Sequence, residues 1–91
     1  MMKIKKGYIL RNVAGQHIVL PVGKAAVDFN GLIRLNDSGR LLFETLMDGA
    51  DENELTKRLL QHYDIDEKTA KKDVATFLNT LRSKDILDEN E

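Results

Sequence analysis

The sequence predicts an α+β domain of winged-helix-like form, with a three-stranded antiparallel sheet followed by three helices. Three observations predict it. Strand-forming apolar residues dominate up to Leu35, three- and four-residue spacing takes over from Asp37, and 91 residues suffice for one modest core but not two. A single domain over residues 1–91 is expected, with its ordered core at about residues 8–87. The junction between the two regimes is Asp28 to Gly39. Leu32, Ile33 and Leu35 suit a short strand there, and Asn36-Asp37-Ser38 supply side-chain oxygens able to cap the helix behind it.

Residues Met1 to Lys6 carry Lys3, Lys5 and Lys6 among few apolar groups, so a frayed, solvated terminus is expected before a strand begins near Tyr8. Tyr8 to Val13 and Gln16 to Val22 are rich in strand formers, and Ala14-Gly15 between them has hairpin spacing, with Gly15 able to take a positive φ. Pro21 offers no N–H to a ladder and so belongs near a strand end. The connection Gly23 to Asn30 is too apolar for a solvated loop, so Val27 or Phe29 is expected to tuck under the sheet beside a short helical turn. The third predicted strand runs from about Gly31 to Leu35 and completes a meander.

Leu41, Leu42, Phe43, Leu46 and Met47 define the buried face of the first predicted helix, which Asn36 caps and Asp48-Gly49 ends. Asp51-Glu52-Asn53-Glu54 has the form of a capping box, and Leu55, Leu59, Leu60 and Tyr63 share the face of a second helix. Asp66 then caps the third and longest, whose apolar residues are Ala70, Val74, Phe77, Leu78 and Leu81. Ile86 and Leu87 close the domain, and Asp88 to Glu91 read as a solvated acidic tail.

Composition excludes several function classes. With no Cys there is neither a disulfide framework nor a thiolate metal site. No apolar run approaches the roughly 20 residues needed to span a bilayer, and the first residues lack a secretory h-region, so a soluble cytoplasmic protein without membrane contact is expected. A formal net charge of −1 gives no basic field to attract nucleic acid. His17 and His62 are the only near-neutral acid or base candidates, and neither has a partner at triad or ligand spacing, so neither catalytic residues nor a bound metal or cofactor is expected. The pairs Asp51/Glu52 and Asp66/Glu67 stand where carboxylates favour helix N-termini. Lys68, Lys71, Lys72, Arg82 and Lys84 make the third helix locally basic, but Glu67, Asp73 and Asp85 intervene, so a solvated face competes with a binding face.

Leu35-Asn36-Asp37-Ser38-Gly39, Leu46-Met47-Asp48-Gly49 and the run Asp73 to Arg82 together carry a resemblance. In the order and spacing of these segments the chain resembles the PqqD family over roughly Tyr8 to Leu87, nearly its whole length. The first segment looks like that family's Leu-Asn-x-x-Gly or Ala entry to helix one. The run from Asp73 looks like its Asp-Val-x-x-Phe-Leu-x-x-Leu pattern. Two departures stand out. Gly23 to Asn30 is longer than in the quinone-pathway members, which points to a different subgroup, and Asp85 stands where the family often places a glycine.

The resemblance implies a winged-helix-like recognition element for ribosomally synthesised, post-translationally modified peptides, a chaperone-like adaptor and not an enzyme. Such domains take the leader of a precursor peptide as an added strand beside their third strand, in a groove walled by the third helix. They present it to a modifying enzyme, often a radical S-adenosylmethionine protein. Physically, an edge strand's unpaired N–H and C=O groups accept an extended peptide by β-augmentation. Strand alternation puts Leu32 and Arg34 on one face and Ile33 and Leu35 on the other. On the third helix Lys68, Lys71, Ala75 and Leu78 fall near one stripe, with Leu78 open to core or groove. Two rival readings remain: a winged-helix nucleic-acid binder, disfavoured by the charge balance, and a structural domain that self-associates through the third-strand edge.

Overall fold

The computed structural model describes residues 1–28 and 33–89, with backbone alone at Val27 and Asp28. In chain order the elements are β1 (Lys3–Ile4), β2 (Tyr8–Val13), β3 (Gln16–Pro21), α1 (Lys24–Asp28), β4 (Ile33–Leu35), α2 (Asp37–Asp48), α3 (Glu52–His62), α4 (Glu67–Ser83) and β5 (Leu87–Asp88). The expected tuck of Val27 or Phe29 and the strand positions Gly31 and Leu32 lie outside the described residues.

Ala14 and Gly15 both take positive φ, 52° and 79°, the combination that matches a two-residue turn to the twist of its strands. The Asn12 side chain accepts from the Gly15 N–H at 3.1 Å and holds the turn closed. β2 and β3 then pair from Val13 opposite Gln16 to Tyr8 opposite Pro21. Pro21 therefore sits on the last rung, where its missing N–H matters least. β4 adds antiparallel to β3, with Ile33 opposite Val19 and Leu35 opposite His17. The strand order β2-β3-β4 makes β3 central and β4 an edge.

Each long helix starts at the cap its sequence offers. Asn36, Asp51 and Asp66 accept from the backbone N–H of Gly39, Glu54 and Thr69 at 2.8, 2.8 and 2.7 Å. The three helices bury Leu41, Leu42, Phe43 and Leu46 from α2, Leu55 and Leu59 from α3, and Ala70, Val74, Leu78 and Leu81 from α4 against Val19 and Ile33 of the sheet. Two residues assigned to buried faces are in fact exposed: Met47 and Leu60 lie at the margins of their stripes and point to solvent.

The ends of the chain also differ from expectation. Lys3–Ile4 is a strand, not a frayed terminus, and it pairs antiparallel with Leu87–Asp88, so the acidic segment starts inside a second, two-stranded sheet. Met2 exchanges backbone hydrogen bonds with Ala50, and the Lys5 N–H donates to the Ile86 carbonyl at 3.0 Å. Ile4, buried beside Ile86 and Leu87, is the apolar group that makes this pairing favourable. A fourth helix, the short α1, fills the place of the expected helical turn. No helix among the described residues is long and apolar enough to cross a membrane.

Candidate functional site

Among the described residues nothing pairs with the outer side of β4. That edge borders a groove of about 330 Å³ between β4, the first turns of α2 and one flank of α4. Ile33, Leu42 and Leu81, all buried, form its floor. Arg34 and Leu35 line the strand side, and Asp73, Thr76, Phe77 and Thr80 line the helix side. The surface is thus an apolar trough with a polar rim. Its rim carries opposite charges on its two sides, Arg34 on the strand and Asp73 on the helix, neither in an ion pair among the described residues.

The entry to α2 shapes one end of the trough. Gly39 is buried, and a Cβ there would meet the Asn36 Oδ1 at 3.1 Å and the Leu35 Cβ at 3.4 Å. Only a very small residue lets the capped helix start so close behind the strand. His17, opposite Leu35 on β3, has its Nε2 3.3 Å from an Asp37 Oδ1 and so ties the central strand to the same helix start.

The residues selected from sequence divide. Ile33, Arg34 and Leu35 border the groove; Leu32 lies outside the described residues. The helix-side residues Lys68, Lys71, Ala75 and Leu78 do not border the groove. Lys68, Lys71 and Ala75 are exposed away from the trough, and Leu78 is fully buried in the core. Lys71 is engaged with Glu67 one turn earlier, at 3.2 Å. At roughly 100° per residue the buried stripe Ala70-Val74-Leu78-Leu81 has two flanks, and Asp73, Thr76 and Thr80 occupy the one opposite to Lys71 and Ala75. The missed residues had a signal: Asp73 and Phe77 are the first and fifth residues of the Asp-Val-x-x-Phe pattern. Among the described residues no group of His, Asp or Glu is arranged to hold a metal ion.

A family model matches residues 16–87, under the description coenzyme PQQ synthesis protein D (PqqD). The chain belongs to the PqqD family. The match runs from β3 to β5, so β1 and β2 lie outside it. Two solved structures share this fold. One is titled TbiB1 in complex with the TbiA(beta) leader peptide, with a TM-score of 0.77, 19% identity and 98% of each chain covered. The other is titled lasso peptide synthetase B1 complexed with the leader peptide, with a TM-score of 0.74 and 16% identity over 94% of this chain and 95% of that one. No curated protein matches the chain at a significant level.

Proposed function

We propose that this PqqD-family chain is a non-catalytic adaptor that binds the leader of a ribosomally made precursor peptide and presents it to a separate modifying enzyme. The observation that carries the reading is the outer edge of β4, unpaired among the described residues, beside an apolar trough. Both structures of the same fold named above are leader-peptide complexes, which supports it. An extended peptide beside β4 satisfies the strand's outward N–H and C=O groups, and each such hydrogen bond contributes about 0.5 to 1.5 kcal/mol net. Backbone pairing alone reads no sequence. Choice comes from alternate side chains, which drop into the trough against Leu35, Leu42 and Phe77 or face away beside Arg34. Lys68, Lys71, Ala75 and Leu78 do not line the trough, and Leu32 lies outside the described residues. The modifying enzyme is a different chain, and a radical S-adenosylmethionine protein is the partner class that the family resemblance implies.

The test is an NMR titration of the isotope-labelled chain with a peptide selected from a displayed random library. Shifts should concentrate at Ile33 to Leu35, Thr76, Phe77 and Thr80. N-methylating alternate peptide residues should weaken binding about tenfold or more, while methylating the intervening ones is tolerated. Shifts confined to β2 or α3, or indifference to N-methylation, would remove strand addition at β4.

A further inference from the structure

The trough does not stop where β4 ends. Past Asn36 and Ser38 the surface opens into a second hollow of about 340 Å³, between the first turn of α2, the end of α3 and α4 at Asp73. The two hollows share Asn36, Ser38 and Asp73, so a chain following the β4 edge runs from one into the other. The wall of the second is apolar and aromatic, with Leu59 buried and Tyr63 and Ile65 half-buried; its rim is acidic, with Asp37 and Asp73 exposed. Asp37 already faces His17, whereas Asp73 has no ion-pair partner among the described residues.

We propose that this second hollow is a specificity subsite for a lysine or arginine of the bound peptide, just outside the segment that pairs with β4. The inference rests on the peptide-binding reading above. Lys and Arg combine an aliphatic stem with a cationic head. The stem suits Leu59 and Ile65, the ring of Tyr63 attracts the cation, and the head reaches the carboxylates at the rim. A glutamate or aspartate of the peptide would instead meet two like charges. The lysines of α4 do not offset this, because Lys68, Lys71 and Lys72 line neither hollow. Asp73 is the determining residue, since it borders both hollows and its charge is not shared with a neighbour among the described residues.

The experiment is selection of a random dodecapeptide phage library on the full chain, on Asp73→Asn and on the Asp37→Asn/Asp73→Asn double variant. On the native chain, Lys or Arg should be enriched at one fixed spacing from the apolar positions. That enrichment should fall on Asp73→Asn and vanish on the double variant, with the apolar positions unchanged. Replacing the selected cation by Ala should weaken binding about fivefold on the native chain and less than about twofold on Asp73→Asn, and the gap should narrow in high salt. Asp73 is exposed, so the variant keeps its fold, and Asp73→Glu should restore the preference. Apolar enrichment without a cation, or the same cation enrichment on all three proteins, overturns the subsite and leaves strand addition standing. Failure to enrich any sequence overturns both.

Discussion

Asn36 shows how much one residue at the sheet-to-helix junction has to satisfy. Its Oδ1 accepts from Gly39 at 2.8 Å and from the Ser38 hydroxyl at 3.1 Å, so it caps α2 and orders the turn that bounds the trough. Asn36→Ala should cost about 1 kcal/mol in urea unfolding, and Asn36→Asp should be close to neutral. Gly39→Val should cost about 1 to 3 kcal/mol, because the extra methyls drive into Leu35 and the cap. Asp85 is a second junction. Its φ of 58° is the left-handed conformation, and the N–H groups of Asp85 and Ile86 bond back to Arg82 and Leu81, closing the end of α4 as a glycine would. Asp85 also holds Lys5 at 2.6 Å. Asp85→Ala should therefore be less stable than Asp85→Gly by about 1 kcal/mol, since both lose the ion pair and only Ala retains the backbone strain.

Two exposed carboxylates contribute to the acid limb of stability. Hydrogen bonds from Thr69, side chain and backbone, hold Asp66 below its usual range, and the guanidinium of Arg82 does the same for Glu89. A depressed carboxylate contributes stability that is complete above its unfolded pKa, near 4 for both types, and is lost as pH falls through the folded value. Thermal melts should thus be flat from about pH 7 to 5 and decline below about pH 4. Asp66→Asn should shallow that decline without shifting its direction; an unchanged acid limb would sink the assignment.

At the scale of elements, α4 does two jobs on adjacent faces, and sequence alone separates them poorly. Its buried stripe was legible from spacing, as were the caps at Asn36, Asp51 and Asp66, because these are local relations within one turn of helix. The flank that meets β4 was not legible. Which side of a buried stripe faces a strand some 40 residues earlier depends on how α2 and α3 pack between them, and the apolar spacing of α4 does not encode it. Lys68, Lys71 and Ala75 lie on the other flank for this reason. The same limit hid β1 and β5, whose two-residue lengths leave no periodicity and whose pairing joins the two ends of the chain. A pair of substitutions separates the jobs. Leu78→Ala, in the core, should cost about 2 to 5 kcal/mol of stability. Phe77→Ala should cost about half as much, because its ring is only partly buried, yet weaken peptide binding about fivefold or more. Lys71→Ala should move neither by more than about 0.5 kcal/mol.

Across the whole molecule, the groove depends on residues that never touch it. β1 packs on α2, and β5 packs on the end of α4, so the two-stranded sheet ties together the two helices that wall the trough. Arg82 and Glu89 reinforce that tie, with the Arg82 Nη2 donating to a Glu89 oxygen at 2.7 Å and Nε donating at 3.1 Å to both. Deleting residues 1–5 removes buried Ile4 and uncovers Ile86 and Leu87. The loss should be about 3 kcal/mol, a large share of the roughly 5 to 13 kcal/mol available to a domain of this size. Hydrogen exchange should then accelerate at Ala50 and Asp88 while the β2–β3 hairpin keeps its protection. Peptide affinity should fall as well, although every groove residue is still present, because α2 and α4 are no longer held at one spacing. If the shortened chain unfolds at the native urea midpoint and binds a selected peptide equally well, the small sheet is an ornament of the fold and the spacing of the groove is set by the core alone.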